Sequence, residues 1–465
     1  MRLENEIKEY LSGEDYVSSI AENADGQALM LRLRGKDQLV VSGLLREQFD
    51  GENINGFRLC PLTHENRLAL NRAFPYTAPR ALGSSAPTFG FGDRLGYANP
   101  MQLESLKDTC FLPVLAQQSM RELSLTGRTY QQVIDTASWA VFRQGWTDGF
   151  AADGDHLKTL EEIQIALDAG CTMITLDCSL AMNCPPAGQA PSRAHWQQDY
   201  MQNNTVKELE LQFDDAVLQK LEQTYAGALQ LTSDVMERAI RPAGREIDFE
   251  LSVDETDELT SPEAHYYITN ELRNAGVTIT SLAPRFVGEF HKAVDYIGCV
   301  DEFRAQLRRH VQVADCFGHK ISLHSASEKY SVFPVLAQET KGRCHVKTSG
   351  TSWLEVVECI AKKDAALYRD MHTSALKNLD EAKKLYVVHC DSGKIPALDT
   401  LPDSQLPELL ELSKSDARQL MHITYGYILA DKQLKERIHA FMEEQRTFYE
   451  AQALDLYLRH IQLLV

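Results

Sequence analysis

Two histidines stand beside acidic residues at places where short apolar runs come to an end. Asp153, Asp155 and His156 occur together in the stretch DGFAADGDHLKT, and His324 follows the apolar run KISL. Carboxylate oxygens and imidazole nitrogens are ligands for zinc, manganese, cobalt or nickel in sites with open coordination positions. These residues therefore predict a divalent metal site. The alternative is that Asp155 caps the following helix and that each histidine is an ordinary polar or hydrogen-bonded residue.

A third acidic segment, SVDETDELTS, would complete this metal site. It places Asp254 and Glu255 directly after another apolar run, although a helix-capping loop would use the same residue types. A structural zinc site closed to solvent would more often use cysteine, so the set favours a catalytic ion. We expect four residues to hold the ion: Asp153, His156, Glu255 and His324.

Other carboxylates at the ends of apolar runs are candidates for proton transfer. Asp177 ends the run TMITLD, and Glu289 follows the run VTITSLAP at a short distance. A carboxylate that lies within reach of a substrate hydroxyl can act as a general base and then as a general acid. We predict this catalytic role for Asp177, Glu289 and Asp155.

Cationic and hydroxyl side chains at the same places would bind an anionic, hydroxylated substrate. Arginine in particular presents a planar set of donors that matches a carboxylate or phosphate. Each cation alone is as consistent with a solvated surface charge, and His422 is as consistent with a packed structural histidine. The predicted substrate-binding residues are Ser119, Arg121, Arg285, Ser325, Lys329, Lys347 and His422.

The elements that would bring these residues together are short strands that alternate with helices. Eight apolar runs occur between residues 88 and 349, and amphipathic segments that end in glycine separate many of them. This alternation predicts an α/β fold with a (β/α)8 barrel of the TIM type, in which active-site residues lie at the carboxyl ends of the strands. An open, doubly wound sheet would give the same alternation. No GxGxxG segment supports a dinucleotide site.

The two ends of the chain differ from this central pattern. The segments ALMLRLRG and DQLVVSG predict an antiparallel hairpin, and a stretch rich in Pro, Ala, Gly and Ser follows it. We therefore expect a small N-terminal α/β cap over residues 1–80 and a barrel domain over residues 81–465. Within the barrel domain we expect a helical insertion at 195–240 and a C-terminal helical extension at 365–465.

Composition limits the partners of the chain. Its 465 residues carry a formal net charge of −19, which disfavours nucleic acids and anionic membranes as partners. No apolar run approaches the ~20 residues that span a bilayer, and the N-terminus lacks the apolar core of an export signal. The ten cysteines form no CxxC pair. We expect a cytoplasmic protein with reduced thiols that acts on a small molecule.

Eight motifs, in order from about Phe91 to about Leu429, resemble the tagaturonate/fructuronate epimerase family. The resemblance implies a divalent-metal-dependent enzyme of hexuronate breakdown. Such an enzyme interconverts D-tagaturonate and D-fructuronate by inverting C4, and related members act on neutral ketohexoses. The motifs are SMRELSLTGRT, DGDHLKT, ITLDCS, SVDETDELTSPEAHYYI, LAPRFVGEFHKAVDYIG, SLHSASEKYSVFP, HVKTSGTSWLE and HITYGYIL.

Inversion at C4 of a 2-ketose has a chemical constraint. The C4 hydrogen is not adjacent to the carbonyl and is not acidic, whereas the C4 hydroxyl is β to the carbonyl and permits retro-aldol cleavage of C3–C4. The aldehyde could then turn and rejoin on its other face, with a metal ion stabilising the enolate. Alternatives are a metal-dependent aldolase or sugar isomerase, transient oxidation by a bound nicotinamide, and a non-catalytic barrel that binds sugar acids.

Overall fold

The N-terminal part of the chain is a six-stranded sheet in the computed structural model, which describes residues 14–185, 195–256, 258–386 and 388–465. All of its strand pairs are antiparallel, and Ala28 pairs with Val41 in the predicted hairpin. The strands are β1 (Glu14–Asp15), β2 (Ala21–Asn23), β3 (Gly26–Leu33), β4 (Lys36–Val41), β5 (Glu52–Ile54) and β6 (Phe57–Cys60), followed by helix α1 (His64–Ala73).

Eight parallel strands then close into a barrel, in which each strand pairs with the next and the last pairs with the first. This closure confirms the predicted (β/α)8 architecture and excludes the open sheet. The barrel strands are β7 (Thr88–Phe91), β8 (Leu112–Gln118), β9 (Ala151–Leu157), β10 (Met173–Asp177), β11 (Asp248–Val253), β12 (Ser281–Pro284), β13 (Lys320–Leu323) and β14 (Cys344–Thr348).

Helices surround the barrel and form the C-terminal part of the chain. They are α2 (Asn99–Leu106), α3 (Met120–Thr126), α4 (Tyr130–Gln144), α5 (Leu160–Ala169), α6 (Asn204–Glu208), α7 (Asp215–Val235), α8 (Pro262–Asn274), α9 (Val300–Phe317), α10 (Phe333–Thr340), α11 (Thr351–Lys363), α12 (Ala365–Lys377), α13 (Leu379–Lys383), α14 (Ser415–Ile423), α15 (Tyr425–Ala430), α16 (Lys432–Glu444) and α17 (Arg446–Ile461). Short 3₁₀ and π turns join several of them.

Capping residues define the ends of several helices, and α5 is an example. Before α5, the Thr159 hydroxyl accepts a hydrogen bond from the backbone N–H of Glu162, and the Glu162 carboxylate accepts one from the backbone N–H of Thr159. Gly170 ends the same helix with a left-handed φ of 105°. The loops that follow the barrel strands lie at the same end of the barrel, which is the end where polar residues were predicted, and the loop between β9 and α5 is short.

The barrel interior is polar, because residues alternate along each strand. On β10, Ile174 and Leu176 belong to the large apolar core, whereas Thr175 makes hydrogen bonds to Asp153 and Glu250 of the neighbouring strands. A period of two therefore places apolar side chains under the helices and polar ones inside the barrel.

One predicted boundary was wrong. The sequence pattern ended the third barrel strand at Asp153 and placed Asp155 and His156 in the following loop. In the structure β9 continues to Leu157, so both residues lie within the strand. The pairing of β9 with β10 shifts register in this region, and His156 has a φ of 53°. This irregularity acts as a bulge. A bulge changes the direction in which the side chains of a strand point, and bulges are common next to active sites.

The segment predicted as an insertion contains helices α6 and α7 together with π turns at Gln197–Met201 and Met236–Ile240. The boundary drawn at residue 80 remains a prediction, and residues 1–13 lie outside the described residues. Among the described helices, none is both long and apolar enough to cross a membrane.

Candidate active site

A cavity of about 650 Å³ opens at the end of the barrel where the strands finish. Its size is within the range of pockets that bind small molecules. Ten of the fourteen predicted site residues line it: Ser119, Arg121, Asp155, His156, Glu255, Arg285, Glu289, His324, Ser325 and Lys347.

Three side chains in this cavity form a group that could hold a metal ion. One ligand atom from each of His156, Asp254 and His324 lies within 4.8 Å of the other two. Within this group, His324 Nδ1 lies 3.4 Å from Asp254 Oδ2. The two imidazole rings are tilted, with their centroids 4.8 Å apart. Two nitrogens and one oxygen with open positions are the donor set of a catalytic zinc-type site.

The orientation of His324 is fixed from behind by a buried carboxylate. His324 Nε2 donates to Glu250 Oε1 at 2.8 Å, so Nδ1 is the atom that carries the lone pair when the ring is neutral. That Nδ1 atom is buried and accepts no hydrogen bond from any described residue. Glu250 is itself held, because Ser281 Oγ donates to its second oxygen at 2.5 Å. A histidine held by a carboxylate on one nitrogen and open on the other is the usual arrangement of a metal ligand.

His156 has the same arrangement on the neighbouring side of the cavity. Its Nδ1 donates to Asp155 Oδ1 at 2.8 Å, which leaves Nε2 as the atom that a metal could take. The positive φ of His156 is a strained conformation for a residue with a side chain, and such conformations concentrate at functional sites. The bulge in β9 places Asp155 and His156 at the same site, where Asp155 would support the ring of His156 if that histidine held an ion.

Lys347 connects the two supporting carboxylates. Its Nζ lies 2.6 Å from Asp155 Oδ1, 3.1 Å from Glu250 Oε1 and 2.7 Å from Asp153 Oδ2. All four groups are buried, so the cation compensates charges that would otherwise be costly to desolvate. These three carboxylates hold the pKa of Lys347 well above its usual value, although burial opposes the rise.

The pKa values of the group follow from these contacts. Burial disfavours the charged imidazole, but Asp254 and Glu250 outweigh it and raise the pKa of His324 to about 10. Burial would raise the pKa of Asp254, but the adjacent His324 lowers it. Asp155 likewise raises the pKa of His156 against its burial. The cavity therefore stabilises positive charge at the place where the three ligand atoms meet.

Asp153, Glu255 and Asp177 were predicted next to the metal or the reacting atoms, and the structure gives them other contacts. Asp153 is fully buried against Lys347, and burial raises its pKa to about 6. Glu255 lines the cavity, is half exposed and lies 3.7 Å from Lys158 Nζ. Asp177 is buried beside the cavity and pairs with the same Lys158 at 3.0 Å. Asp254, rather than Asp153 or Glu255, belongs to the three-residue group.

Several of the predicted substrate-binding residues line one side of the cavity. Arg121 stacks on Tyr386 and donates to the carbonyl of Leu385 at 3.1 Å. Arg285 has a buried Nε that donates to no atom of the described residues. Ser119 caps helix α3 by accepting from the backbone of Glu122; its hydroxyl thus supports the loop that carries Arg121.

Lys292 is a cavity residue that the sequence reasoning missed. Its Nζ donates to Ser325 Oγ at 3.0 Å, and burial lowers its pKa. It lies three residues after Glu289, in the motif LAPRFVGEFHKAVDYIG, but it follows a long loop rather than a strand end. The sequence reasoning selected polar residues close to the ends of predicted strands, and it therefore did not include Lys292.

Lys329 and His422 are buried and are not among the residues that line the cavity. Lys329 Nζ donates to the carbonyls of Ser327, His291 and Val294, so it organises the loops around the cavity. The His422 ring packs against the backbone of Gly350, and burial holds its pKa well below its usual value.

Comparison with known proteins identifies relatives that match nearly the whole chain. A family model described as tagaturonate epimerase, UxaE, matches residues 11–464. The tagaturonate/fructuronate epimerase of Thermotoga maritima is 37% identical over 421 residues, which cover 88% of this chain and 86% of that protein.

Crystal structures of a relative show the same architecture. The native structure of fructuronate-tagaturonate epimerase UxaE from Cohnella laeviribosi has 40% sequence identity and a TM-score of 0.92, with 99% of this chain and 98% of that chain covered. A glycerol complex of the same protein gives a TM-score of 0.89 over 97% and 96% of the two chains. The family resemblance of the sequence motifs is thus confirmed. This chain belongs to the tagaturonate epimerase family, which is a family of isomerases.

Proposed function

We propose that this chain interconverts D-tagaturonate and D-fructuronate by inverting C4, with a divalent metal ion and retro-aldol chemistry. The observation that carries the proposal is the pair of histidines, each held by its own carboxylate, that meet Asp254 at the barrel mouth. The names of its relatives supply the substrate pair, since the Thermotoga and Cohnella proteins are described as epimerases of these two sugar acids.

The ion would be held by His156 Nε2, His324 Nδ1 and an Asp254 oxygen. Glu250, Asp155 and Lys347 would fix those ligands from behind without touching the ion. When bound, such an ion supplies Lewis-acid stabilisation to a carbonyl oxygen that gains negative charge. Zinc, cobalt, nickel and manganese all accept this set of two nitrogens and one oxygen.

The chain's own residues would move one proton and return it. We assign this proton transfer to Glu255. Its carboxylate is half exposed, lines the cavity and is next in sequence to Asp254. The carboxylate removes the proton of the C4 hydroxyl, the C3–C4 bond breaks, and its electron pair goes to the enolate of the carbonyl half. The aldehyde half turns, the bond forms again on its other face, and the same carboxylate returns the proton.

Asp177 would act on this proton transfer through Lys158 rather than by contact with substrate. Lys158 Nζ lies between the two carboxylates, at 3.0 Å from Asp177 and 3.7 Å from Glu255. Asp177 would thus be a positioning residue for the base. Asp155, which was a candidate for proton transfer, instead has its Oδ1 paired with both His156 and Lys347, and we assign it to the support of His156.

The substrate carboxylate would meet the cationic side of the cavity. Arg121, Arg285 and Lys292 all line it, and the Lys292 ammonium has one close hydroxyl partner in Ser325. A partly buried cation with few partners, such as Lys292 or Arg285, gains more from a carboxylate than a fully solvated one does. A neutral ketohexose would lack this contact, which favours the uronate as substrate.

The proposal is tested with the purified full chain on D-tagaturonate. The protein is stripped with a chelator, each of Mn, Co, Ni and Zn is added back, and the appearance of D-fructuronate is followed by NMR. We expect conversion that depends on the added metal, with neither three-carbon fragment released. Release of both fragments would instead identify an aldolase, and no conversion with any metal would contradict the proposal.

Two comparisons within this assay sharpen the mechanism. Deuterium at C4 should leave the rate nearly unchanged, because retro-aldol cleavage keeps the C4–H bond, whereas transient oxidation at C4 would give a primary isotope effect. Asp254→Asn should lose the metal and the activity. Glu255→Gln, the neighbouring acid, should lose activity and retain the metal.

A further inference from the structure

We propose a second divalent-cation site at the rim of the cavity, formed by Glu289, His291 and His389. Their three ligand atoms lie within 4.8 Å of one another. Glu289 Oε2 is 2.7 Å from His291 Nε2 and 3.5 Å from His389 Nε2. This site shares no residue with the group of His156, Asp254 and His324, and it goes beyond the proposed function, which does not require it.

The distances suit a tetrahedral ion with small adjustments. Zinc bonds of about 2.0–2.2 Å place neighbouring ligand atoms roughly 3.3–3.6 Å apart. The Glu289–His389 pair already has this separation, at 3.5 Å, and the Glu289–His291 pair at 2.7 Å must open by under ~1 Å. Both Glu289 and His389 are largely exposed, so their side chains can make this movement.

The donor set selects the class of ion. Two imidazoles and one carboxylate favour zinc, cobalt or nickel over calcium or magnesium, which prefer oxygen. Three protein ligands also leave a coordination position open to the cavity. The His291 and His389 rings meet edge to face with their centroids 4.4 Å apart, an arrangement in which both Nε2 atoms point toward Glu289.

The loop that carries Glu289 and His291 is held in place by its backbone. Glu289 N donates to Ile297 O at 2.8 Å, and Ile297 N returns a hydrogen bond at 3.2 Å. Lys329 Nζ donates to the His291 carbonyl at 2.8 Å. Two residues of helix α14 hold the next turn of this loop, since Arg418 donates to the carbonyl of Ala293 and Gln419 donates to that of Lys292.

The segment that carries His389 is attached to the same helix. Asp391 N donates to Asp416 Oδ1 at 2.7 Å, and Cys390 Sγ lies 3.2 Å from the Asp416 carbonyl. Helix α14 is thus a common support for both parts of the rim site. Ligands on supported backbones lose little conformational freedom when an ion binds, and a preorganised site binds more tightly for that reason.

An ion here would fasten the C-terminal part of the chain across the mouth of the barrel. His389 follows Leu385 and Tyr386, which line the cavity and contact Arg121. Glu289 and His291 belong to the barrel loop on the other side of the same cavity. A bound metal ion would therefore restrict the motion of the part of the cavity lining that includes Tyr386 and the Arg121 guanidinium.

The test counts zinc ions on the full chain by titration against a chromophoric chelator, after the metal has been stripped. We expect two ions on the natural sequence and one ion on His389→Ala. Glu289→Gln, the second rim variant, should also bind one ion. His64→Ala, which changes a partly exposed histidine of the N-terminal region, is the control and should bind two. Circular dichroism checks that all variants are folded.

The outcomes separate this site from the proposed active-site ion. His324→Ala should keep the rim ion and lose the other. A single ion that disappears in His389→Ala but persists in His324→Ala would support the rim site and contradict the proposed catalytic centre. Rim variants that match the natural sequence in both count and affinity would overturn the rim site.

Discussion

The barrel domain contains two groups of buried or partly buried histidines with opposite environments. His156 and His324 face the cavity, and each donates to a carboxylate. A second group, His265, His310 and His319, is buried between helices α8 and α9 and the start of β13. In that group the rings bond to each other, with His265 Nδ1 at 3.0 Å from His310 Nδ1 and His265 Nε2 at 2.7 Å from His319 Nε2.

The proton positions of the second group follow from its one backbone contact. The Thr260 carbonyl can only accept, so His310 Nε2 donates to it at 3.1 Å and His310 Nδ1 must accept from His265. His265 Nε2 then accepts from His319 Nε2. Each ring is neutral, and burial lowers the pKa of His310 to about 4 and that of His319 to about 3.

The comparison shows that burial alone does not make a histidine a metal ligand. In the cavity, carboxylates support the rings and outweigh burial, so the pKa of His324 is raised. Between the helices, burial dominates, and the rings use their nitrogens to hold neighbouring elements together. The first group is therefore expected to carry function and the second to carry stability.

The largest expected effect is that of His324→Ala on activity. Loss of the proposed ion removes several kcal/mol of transition-state stabilisation, and each 1.36 kcal/mol is a factor of ten in rate. We expect kcat/KM on D-tagaturonate to fall by about 10³-fold or more. Steady-state kinetics with saturating metal measure it, and an activity within tenfold of the natural sequence would contradict a ligand role.

The matching change in the second group is His265→Ala, which should destabilise the fold. It removes the ring that both His310 and His319 use as partner and leaves a cavity, at a cost of about 2–4 kcal/mol. The free energy of unfolding in urea measures this loss. Zinc content should stay that of the natural sequence; a loss of zinc without a loss of stability would reverse the roles of the two groups.

A smaller effect is expected when the support of His324 is weakened. Glu250→Gln keeps the size of the side chain and removes its charge, which should weaken metal affinity by about 10–100-fold. Chelator competition measures the affinity. Glu122→Gln is the matched control, because Glu122 is also a buried cavity carboxylate but pairs with Arg94. Equal affinities in the two variants would argue against the supporting role.

The smallest effect is a difference in pH dependence. His319 has a lowered pKa, so below about pH 6.5 the unfolded chain binds a proton there that the folded chain does not. Stability from this residue is therefore present above pH 6.5 and is lost as the pH falls toward 3. His319→Leu should flatten the slope of unfolding free energy between pH 6.5 and 5 by about 1 kcal/mol per pH unit on average. Parallel slopes would mean that His319 titrates in the folded chain.

The strands of the fold could be predicted from the sequence, because apolar runs and glycine-capped helices have local causes. Each of the eight predicted runs overlaps a barrel strand. The pattern could not show that β9 bulges, since the bulge depends on how β9 pairs with β10. For the same reason the loop assignment of Asp155 and His156 was wrong.

The site was harder to predict than the fold. Of the four predicted metal ligands, His156 and His324 belong to the three-residue group with Asp254, whereas Asp153 and Glu255 lie outside it. The sequence reasoning did not name Glu250, which supports His324. Period two was the available signal, because Glu250, Ser252 and Asp254 alternate with apolar residues along β11 and its end. A fully buried glutamate can be predicted as a functional residue only when its partners are known. The partners of Glu250 are far from it in the sequence, so the sequence pattern did not reveal them.

The central claim is that the two carboxylate-supported histidines and Asp254 hold a catalytic ion. Anomalous diffraction from crystals of the full chain grown with zinc, collected on both sides of the zinc absorption edge, tests it most directly. The claim predicts a peak about 2.0–2.2 Å from His156 Nε2, from His324 Nδ1 and from an Asp254 oxygen. Crystals of metal-activated protein without a peak at this position would contradict it.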